Sequence, residues 1–181
     1  TLDRSSAASD VYKRQVTGAG KTEMMFEAIA RARRAAYNVA IVSPRLDVVI
    51  ELSYRVQQSF ESEAIDVLHQ ASKQQYDAHF VISTVHQLYR FKNHFHVIFV
   101  DEVDAFPLSM DTTLMSTIEN AARTHKSLIY MTATPPKKLK AQFDNEHTIT
   151  LPARFHQKPL VVPRFKYFKV RFSKVQLLSL I

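Results

Sequence analysis

Short apolar runs that alternate with helical patterns are the feature that most constrains the fold of this chain. Strand-like runs lie at 38–44, 65–69, 79–84, 96–102, 127–135 and 147–152. Helical spacing of apolar residues covers 21–36, 46–60 and 108–123, and VHQLYRF predicts a further short helix. Strands that are apolar along their whole length are buried on both faces. The alternation therefore predicts an α/β fold, with a parallel sheet that helices cover on both sides.

The two ends of the chain differ in texture from the part between them. Residues 1–15 show neither helical nor strand periodicity, and SSAASDVYKRQ resembles a translated sequencing-adaptor scar. We interpret 1–15 as non-native, with a disordered native terminus as the alternative, and exclude it from the fold prediction. Residues 16–152 then form one domain. We expect 153–181 to be a linker and the start of a second domain, with the chain truncated at both ends.

Charge and cysteine content restrict the classes of partner. The formal net charge is +7, and the whole excess falls in 153–181, which has seven basic residues and no acidic one. Such asymmetry suggests an anionic partner, for example nucleic acid. The chain has no cysteine, which excludes a disulfide or a cysteine-ligated zinc within it and fits a cytosolic protein. No run approaches the roughly 18 apolar residues that a membrane helix needs.

The stretch VTGAGKTEMMF holds both glycines of the chain, Gly18 and Gly20. Glycine lets backbone N–H groups approach a phosphate, and the following helix offers its positive N-terminus. Lys21 would reach the β- and γ-phosphates of a nucleotide, and the Thr22 hydroxyl would bind Mg²⁺. The predicted nucleotide site comprises Thr17, Gly18, Ala19, Gly20, Lys21, Thr22 and Glu23. The first glycine of the GxxxxGK[ST] pattern is replaced by Gln15, and a glycine-containing turn is the alternative.

The stretch VIFVDEVDAF places Asp101 and Glu102 at the end of an apolar strand, where charge is costly unless function or pairing holds it. In a nucleotide hydrolase, Asp101 would hold Mg²⁺ and Glu102 would act as the general base on the attacking water. Asp104 falls in the loop beyond. An acidic surface loop that caps a helix is the alternative interpretation.

Two further groups of polar residues each allow two interpretations. Thr132 to Thr134, the sequence TAT, follow another apolar strand and either link the γ-phosphate site to a nucleic-acid path or cap a helix before two prolines. His94 and His96 share one strand face and could bind metal, but no third ligand is evident, so we expect a structural role.

Several strings, in this order, resemble the first motor domain of superfamily 2 helicases: TGAGKT, SPR, STVHQL, DEVD and TAT. The longer strings GAGKTEM, VSPRLDVVIEL, STVHQLYRF, VDEVDAFP and TATP are similar to the ComFA family, DEAD-box-like ATPases of bacterial competence. The resemblance covers 16 to about 170. It implies a RecA-like P-loop NTPase domain that binds ATP and Mg²⁺, within an ATP-dependent single-stranded DNA translocase or helicase of DNA uptake.

The resemblance also implies roles for individual residues. Lys21 and Thr22 bind ATP and Mg²⁺, and Asp101 and Glu102 support metal binding and hydrolysis. The DNA backbone would be lined by Ser43, Pro44, Arg45, Ser83 and Thr84. Coupling of hydrolysis to DNA binding would fall to Thr132, Ala133 and Thr134. A cation at the carboxyl end of a strand, such as Arg45, independently suits phosphate contact, although a solvated arginine at a helix start is the alternative.

The family's four-cysteine zinc element would lie upstream of the phosphate loop, so zinc is expected only in sequence that precedes this chain. The second RecA-like domain would supply an arginine finger, commonly worth about 10³ to 10⁵ in rate, so we expect this chain alone to hydrolyse ATP poorly. Other expected partners are DNA-uptake proteins at the inner face of the membrane, in a cytoplasmic or peripheral location. A primosomal or repair-type helicase domain and a non-catalytic nucleotide- or nucleic-acid-binding module are the alternatives.

Overall fold

The computed structural model describes residues 9–15, 21–105, 112–134, 141 and 148–151. The strands are β1 Ser9–Gln15, β2 Val39–Ser43, β3 Asp66–Leu68, β4 Phe80–Thr84, β5 Phe95–Asp101, β6 Ala122–Thr132 and β7 Thr148–Leu151. The helices are α1 Lys21–Arg34, α2 Leu46–Ser59 and α3 Thr112–Ala121, with a 3-10 helix at Val85–Arg90. Within the described part, no helix combines the length and apolar character that a membrane crossing needs.

The strands form one seven-stranded sheet in the order β3-β4-β2-β5-β6-β1-β7, and all of its described pairings are parallel. This confirms the predicted α/β class. Because every strand runs the same way, their carboxyl ends share one edge of the sheet, here called the carboxyl edge. Their amino ends share the opposite edge, here called the amino edge.

Alternate residues of each central strand pack into two separate hydrophobic cores, one on each face of the sheet. On β2, Val39 and Ile41 pack with α1 and α2, whereas Ala40 and Val42 pack with the 3-10 helix and α3. All five residues of β2 are buried, which explains why the strand reads as a continuous apolar run. Full burial of a valine or isoleucine side chain stabilises by about 1.5–3 kcal/mol. The helices are thus held on both faces, as the sequence predicts.

The structure differs from the prediction at β6 and at β1. α3 ends at Ala121 and β6 begins at Ala122, so the helix predicted to 123 is too long and the strand predicted from 127 starts too late. Residues 9–15 form β1 between β6 and β7, although the sequence predicts no strand there. The backbone pairing on both sides of β1 specifies this strand without an apolar pattern. The non-native origin of 1–15 stays a prediction, and 106–111 and 152–181 lie outside the described residues.

Buried Asn38 ties together three histidines at the amino edge. Its side-chain oxygen accepts a hydrogen bond from Nδ1 of His79 at 2.9 Å, and its side-chain nitrogen donates to the His94 carbonyl at 3.1 Å. Its backbone N–H donates to Nδ1 of His96 at 2.9 Å. His94 Nε2 lies 3.0 Å from the Ala78 carbonyl oxygen, to which it donates. The roles of His94 and His96 in the described structure are therefore to hold backbone segments in place.

Glycine scarcity forces other residues into left-handed backbone conformations. Ala36 has φ 57°, and it lies two residues after Arg34, the last residue of α1. Its N–H donates to the Arg33 carbonyl at 2.9 Å, and the N–H of Tyr37 donates to the Ala32 carbonyl at 3.0 Å. This is the Schellman pattern that ends helices, and its left-handed position normally holds glycine. An alanine there costs about 1 kcal/mol relative to glycine.

We expect Ala36→Gly to raise the free energy of unfolding by about 0.5–1 kcal/mol, because glycine removes the Cβ clash of the left-handed conformation. The matched control is Ala35→Gly, since Ala35 is also exposed but has no positive φ. That control should lower stability. Urea denaturation measures both, and equal effects of the two substitutions would contradict the assignment.

We expect stability to fall as the pH drops below about 6.5. Burial first, and then the charge of Arg123 and His94, lower the pKa of His96 below its ordinary value of 6.5. The unfolded chain therefore binds a proton between pH 6.5 and the folded pKa while the folded chain does not, so stability is lost through that window. His96→Gln should flatten this slope in thermal unfolding between pH 7.5 and 5.5. The exposed His86→Gln is the control, and an unchanged slope in His96→Gln would refute the linkage.

Candidate functional site

Polar residues end four neighbouring strands at the carboxyl edge. They are Ser43 on β2, Thr84 on β4, Asp101 on β5 and Thr132 on β6. The register aligns them, because Ser43 is the partner of Thr84 and Asp101 is the partner of Met131, next to Thr132. Ligands of open parallel sheets bind outside the carboxyl ends of the strands. The sequence motifs therefore converge on the edge where a ligand would bind.

The predicted phosphate loop connects this edge to α1. β1 ends at Gln15, beside β6, since Arg14 is the register partner of Thr132. α1 begins at Lys21, so the first turn of this helix contains Lys21, Thr22 and Glu23. The loop residues Thr17, Gly18, Ala19 and Gly20 lie outside the described residues. A strand-to-helix connection with a helix N-terminus behind it suits phosphate binding.

Asp101 and Glu102 occupy the point where β5 leaves the sheet. Asp101 is 7% exposed, and its Oδ1 accepts the backbone N–H of Glu102 at 3.0 Å. Glu102 has φ 53°, a left-handed conformation that is unfavourable for a residue with a long side chain. This sharp turn directs the chain away from the strand immediately after Asp101. Strain of this kind concentrates at functional sites.

The Asp101 carboxylate fits a magnesium ion on chemical grounds. Mg²⁺ takes oxygen ligands and is typically bound by one or two carboxylates together with substrate phosphates and water. Asp101 offers carboxylate oxygens at the sheet edge where β1, the strand before the predicted phosphate loop, also ends. The Thr22 hydroxyl, predicted as the second protein ligand, belongs to a side chain outside the described ones.

Arg45 links the SPR motif to the acidic pair. It directly precedes α2, and its guanidinium donates to Asp47 through Nε at 3.2 Å and Nη2 at 2.5 Å. Its Nη1 lies 3.6 Å from Oε2 of Glu102. The hydrogen bond from Arg45 lowers the pKa of Asp47, and the same bond raises the pKa of Arg45. The sequence places these residues in separate motifs and gives no sign of this contact.

The residues predicted to line DNA differ in accessibility. Ser43 and Ser83 are both 0% exposed, and the Ser43 hydroxyl accepts the backbone N–H of Arg45 at 3.3 Å. Ser43 therefore shapes the turn that leads to Arg45. Pro44 and Thr84 are partly exposed, and Arg45 is exposed. Of this set, the side chains that a DNA backbone could reach directly are those of Arg45, Thr84 and Pro44.

Asp104 is the functional candidate that the sequence prediction missed. Its two carboxylate oxygens accept hydrogen bonds from the hydroxyls of Thr132 and Thr134, one oxygen for each threonine. The backbone N–H of Thr134 also donates to Oγ1 of Thr132 at 3.0 Å. Ala133 is exposed between the two threonines. The DEVD and TAT motifs are thus joined directly, and the only signal in the sequence is that both follow apolar strands.

Comparison with known proteins agrees with this geometry. Residues 6–137 match the family described as type III restriction enzyme, res subunit. The chain belongs to this family. It is 44% identical over 153 residues to the competence protein ComFA of Bacillus subtilis (strain 168), covering 83% of the chain and 33% of that protein. It is 39% identical over 151 residues to ComFA of Streptococcus pneumoniae (strain ATCC BAA-255 / R6), covering 82% and 35%.

These relatives confirm the predicted resemblance to ComFA. The chain spans about a third of their length. Among solved structures, a DEAD box protein from Methanococcus jannaschii gives a TM-score of 0.63 at 15% identity, covering 80% of the chain and 46% of that protein. A hypothetical ATP-dependent RNA helicase from Sulfolobus tokodaii gives 0.62 at 16% identity, covering 78% and 48%. The fold is therefore that of the RecA-like helicase domains.

We expect Thr132→Val and Asp104→Ala to be strongly coupled in a double-mutant cycle. Thr132 is 1% exposed and donates to a carboxylate, a type of hydrogen bond worth about 1.5–3 kcal/mol. The coupling energy from urea denaturation should therefore be about 1–3 kcal/mol. The control cycle pairs Thr117→Val with Asp104→Ala, because the Thr117 hydroxyl donates to the Thr113 carbonyl within its own helix. A coupling as small as that of the control would contradict the link.

Proposed function

We propose that this chain is the ATP-binding motor domain of an ATP-dependent single-stranded DNA translocase or helicase that acts in DNA uptake during competence. The observation that carries the proposal is the convergence at the carboxyl edge. Asp101 and Glu102 lie at the edge where β1, the strand before the predicted phosphate loop, also ends, and Asp104 joins them to the TAT motif. Similarity to ComFA supports the biological setting, since both relatives are competence proteins.

The nucleotide would be held by the loop 17–20 and by the first turn of α1. Lys21 would neutralise the β- and γ-phosphates, and Thr22 together with Asp101 would hold Mg²⁺. When bound, the metal ion supplies charge stabilisation to the phosphoryl oxygens. Asp101 suits this role because its carboxylate is fixed by the N–H of Glu102.

Glu102 would orient and deprotonate the attacking water. Its side chain is 32% exposed, which leaves it accessible from the carboxyl edge. A general base must reach the water within hydrogen-bond distance, and the sharp turn at Glu102 displaces its side chain from the strand direction. Asp104, two residues later, anchors the same turn to β6.

Contact between Arg45 and Glu102 supports coupling of DNA binding to hydrolysis. Arg45 carries an exposed cation that Asp47 and Glu102 share. A DNA phosphate next to Arg45 would compete with both carboxylates for the same guanidinium. Binding of DNA would thereby change the electrostatic surroundings of the proposed general base. Direct DNA contacts through the partly exposed Pro44 and Thr84 belong to the same proposal, with buried Ser43 shaping the turn that presents Arg45.

The location and the partners follow from the setting. A motor of DNA uptake would work in the cytoplasm, peripherally at the membrane machinery, with other competence proteins as partners. Single-stranded DNA would cross the carboxyl edge, and a second RecA-like domain would close over the nucleotide. Thr132, Ala133 and Thr134 would then transmit the state of the nucleotide to the DNA path.

The experiment measures ATP and DNA binding separately on two variants of this chain. Lys21→Ala should weaken Mg²⁺-ATP binding by at least about tenfold, because it removes a charge from the phosphates, and should leave oligo-dT affinity intact. Arg45→Gln should weaken oligo-dT binding and leave Mg²⁺-ATP binding intact. Fluorescent ATP and labelled oligo-dT provide the two binding curves.

The matched control is Arg34→Gln, an exposed arginine in the last turn of α1, far from the carboxyl edge. The slope of log affinity against log salt should fall by roughly 0.7 in Arg45→Gln and stay unchanged in Arg34→Gln. Absence of ATP binding in the parent chain would overturn the motor assignment and favour a non-catalytic nucleic-acid module. An equal loss of oligo-dT affinity in both arginine variants would show that Arg45 makes no specific contact with DNA.

A further inference from the structure

The first part of β6 contains a bulge at the amino edge. Phe95 of β5 is the partner of Ala122, and the next paired residue of β5, Val97, is the partner of Ser127. Between these two pairs, β5 contributes His96 alone, whereas β6 contributes the residues from Arg123 to Lys126. Bulges re-aim side chains and are frequent beside functional sites. This one opens a pocket of about 440 Å³ lined by Asn93, His96, Arg123, Thr124 and His125.

Two hydrogen-bond donors face each other on the wall of this pocket. Nδ1 of His96 accepts the backbone N–H of Asn38, so in the neutral ring the proton is on Nε2. Nη1 of Arg123 lies 3.1 Å from that Nε2. A guanidinium has no acceptor, so neither group can accept from the other. Water can satisfy each N–H group separately because Arg123 is exposed, whereas a ligand with several acceptor oxygens in front of the pair would satisfy both at once.

The ring of His96 is held in the orientation that creates this arrangement. Tyr37 stacks on it with a centroid distance of 4.7 Å and an interplanar angle of 11°. Burial and the nearby Arg123 lower the pKa of His96, which keeps the ring neutral near pH 7 and its Nε2 a donor. The donor is therefore fixed from behind by stacking and from the side by the Asn38 N–H.

The surroundings of the pocket favour an anion. None of its lining residues is acidic, and the guanidinium of Arg123 carries a positive charge beside the imidazoles of His96 and His125. The carboxylate of Glu119 is paired with Lys126 at the end of the bulge. The last carbonyls of α3, on Asn120 and Ala121, accept the N–H groups of Asn93 and His94. These two carbonyls at the negative end of the helix are thus already hydrogen-bonded to backbone donors.

We propose that this pocket, formed by the β6 bulge at the amino edge, is a second anion site that takes a phosphate group between Arg123 and Nε2 of His96. Phosphate matches the site because its several oxygens can accept from both donors at once, and arginine binds it through paired N–H groups. The site is separate from the nucleotide site, which lies at the opposite edge of the sheet. It does not depend on the proposed motor function.

The test uses Lys21→Ala as the background, which weakens phosphate binding at the phosphate loop. Inorganic phosphate is titrated into the full chain while the imidazole resonances are followed by NMR, with His96 assigned through His96→Gln. A saturable shift of the His96 resonance is expected. Arg123→Gln should weaken that binding by about tenfold, the cost of losing a hydrogen bond to a charged group. Lys73→Gln, an exposed residue with the same charge change, should leave it unchanged.

The possible outcomes distinguish phosphate binding at this site from a nonspecific effect of ionic strength. A linear, non-saturating shift, or equal weakening in Arg123→Gln and Lys73→Gln, would overturn the proposal. A second titration with oligo-dT, read at the same His96 resonance, identifies the source of the phosphate. Tighter binding than inorganic phosphate supports the site with a nucleic-acid phosphodiester as ligand. Weaker binding supports the site with a free phosphate or a small phosphorylated molecule.

Discussion

Parallel pairing of β4, β2, β5 and β6 is the constraint on which the rest of the structure depends. Each of these strands is buried from both sides, so its register is specified by two cores at once. A shift by one residue would exchange the side chains of the two cores along the whole strand. The fixed register is also what brings the ends of four strands level at one edge. The positions of Asp101 and Thr132 are therefore consequences of packing far from the edge.

Sequence reasoning succeeded where burial on both faces leaves a continuous apolar run. β2, β4 and β5 are examples, since their interiors contain valine, isoleucine and phenylalanine almost without interruption. It missed the start of β6, because the bulge from Arg123 to Lys126 is polar and breaks the run. It also failed at β1, where SDVYKRQ has no apolar periodicity and the strand depends on its two neighbours.

The candidate site likewise has residues that the sequence predicts and contacts that it does not. Asp101 and Glu102 are predictable because acidic residues directly after a buried strand are unusual. The bonds from Asp104 to the two threonines are not predictable, since they join residues about 30 positions apart through the sheet register. The approach of Arg45 to Glu102 likewise depends on how α2 begins after β2. Local pattern identifies candidate residues, whereas their partners are decided by tertiary structure.

Because one carboxylate holds both threonines, the turn after β5 and the bend after β6 form a single mechanical link. Asp104 bonds Thr132 through one oxygen and Thr134 through the other, so the bend cannot slide along the turn without breaking a bond. Glu102 is two residues from Asp104, and the carbonyl of Glu102 accepts the N–H of Ala105 at 2.8 Å. The position of the bend after β6 is therefore tied to the position of the turn that contains Glu102.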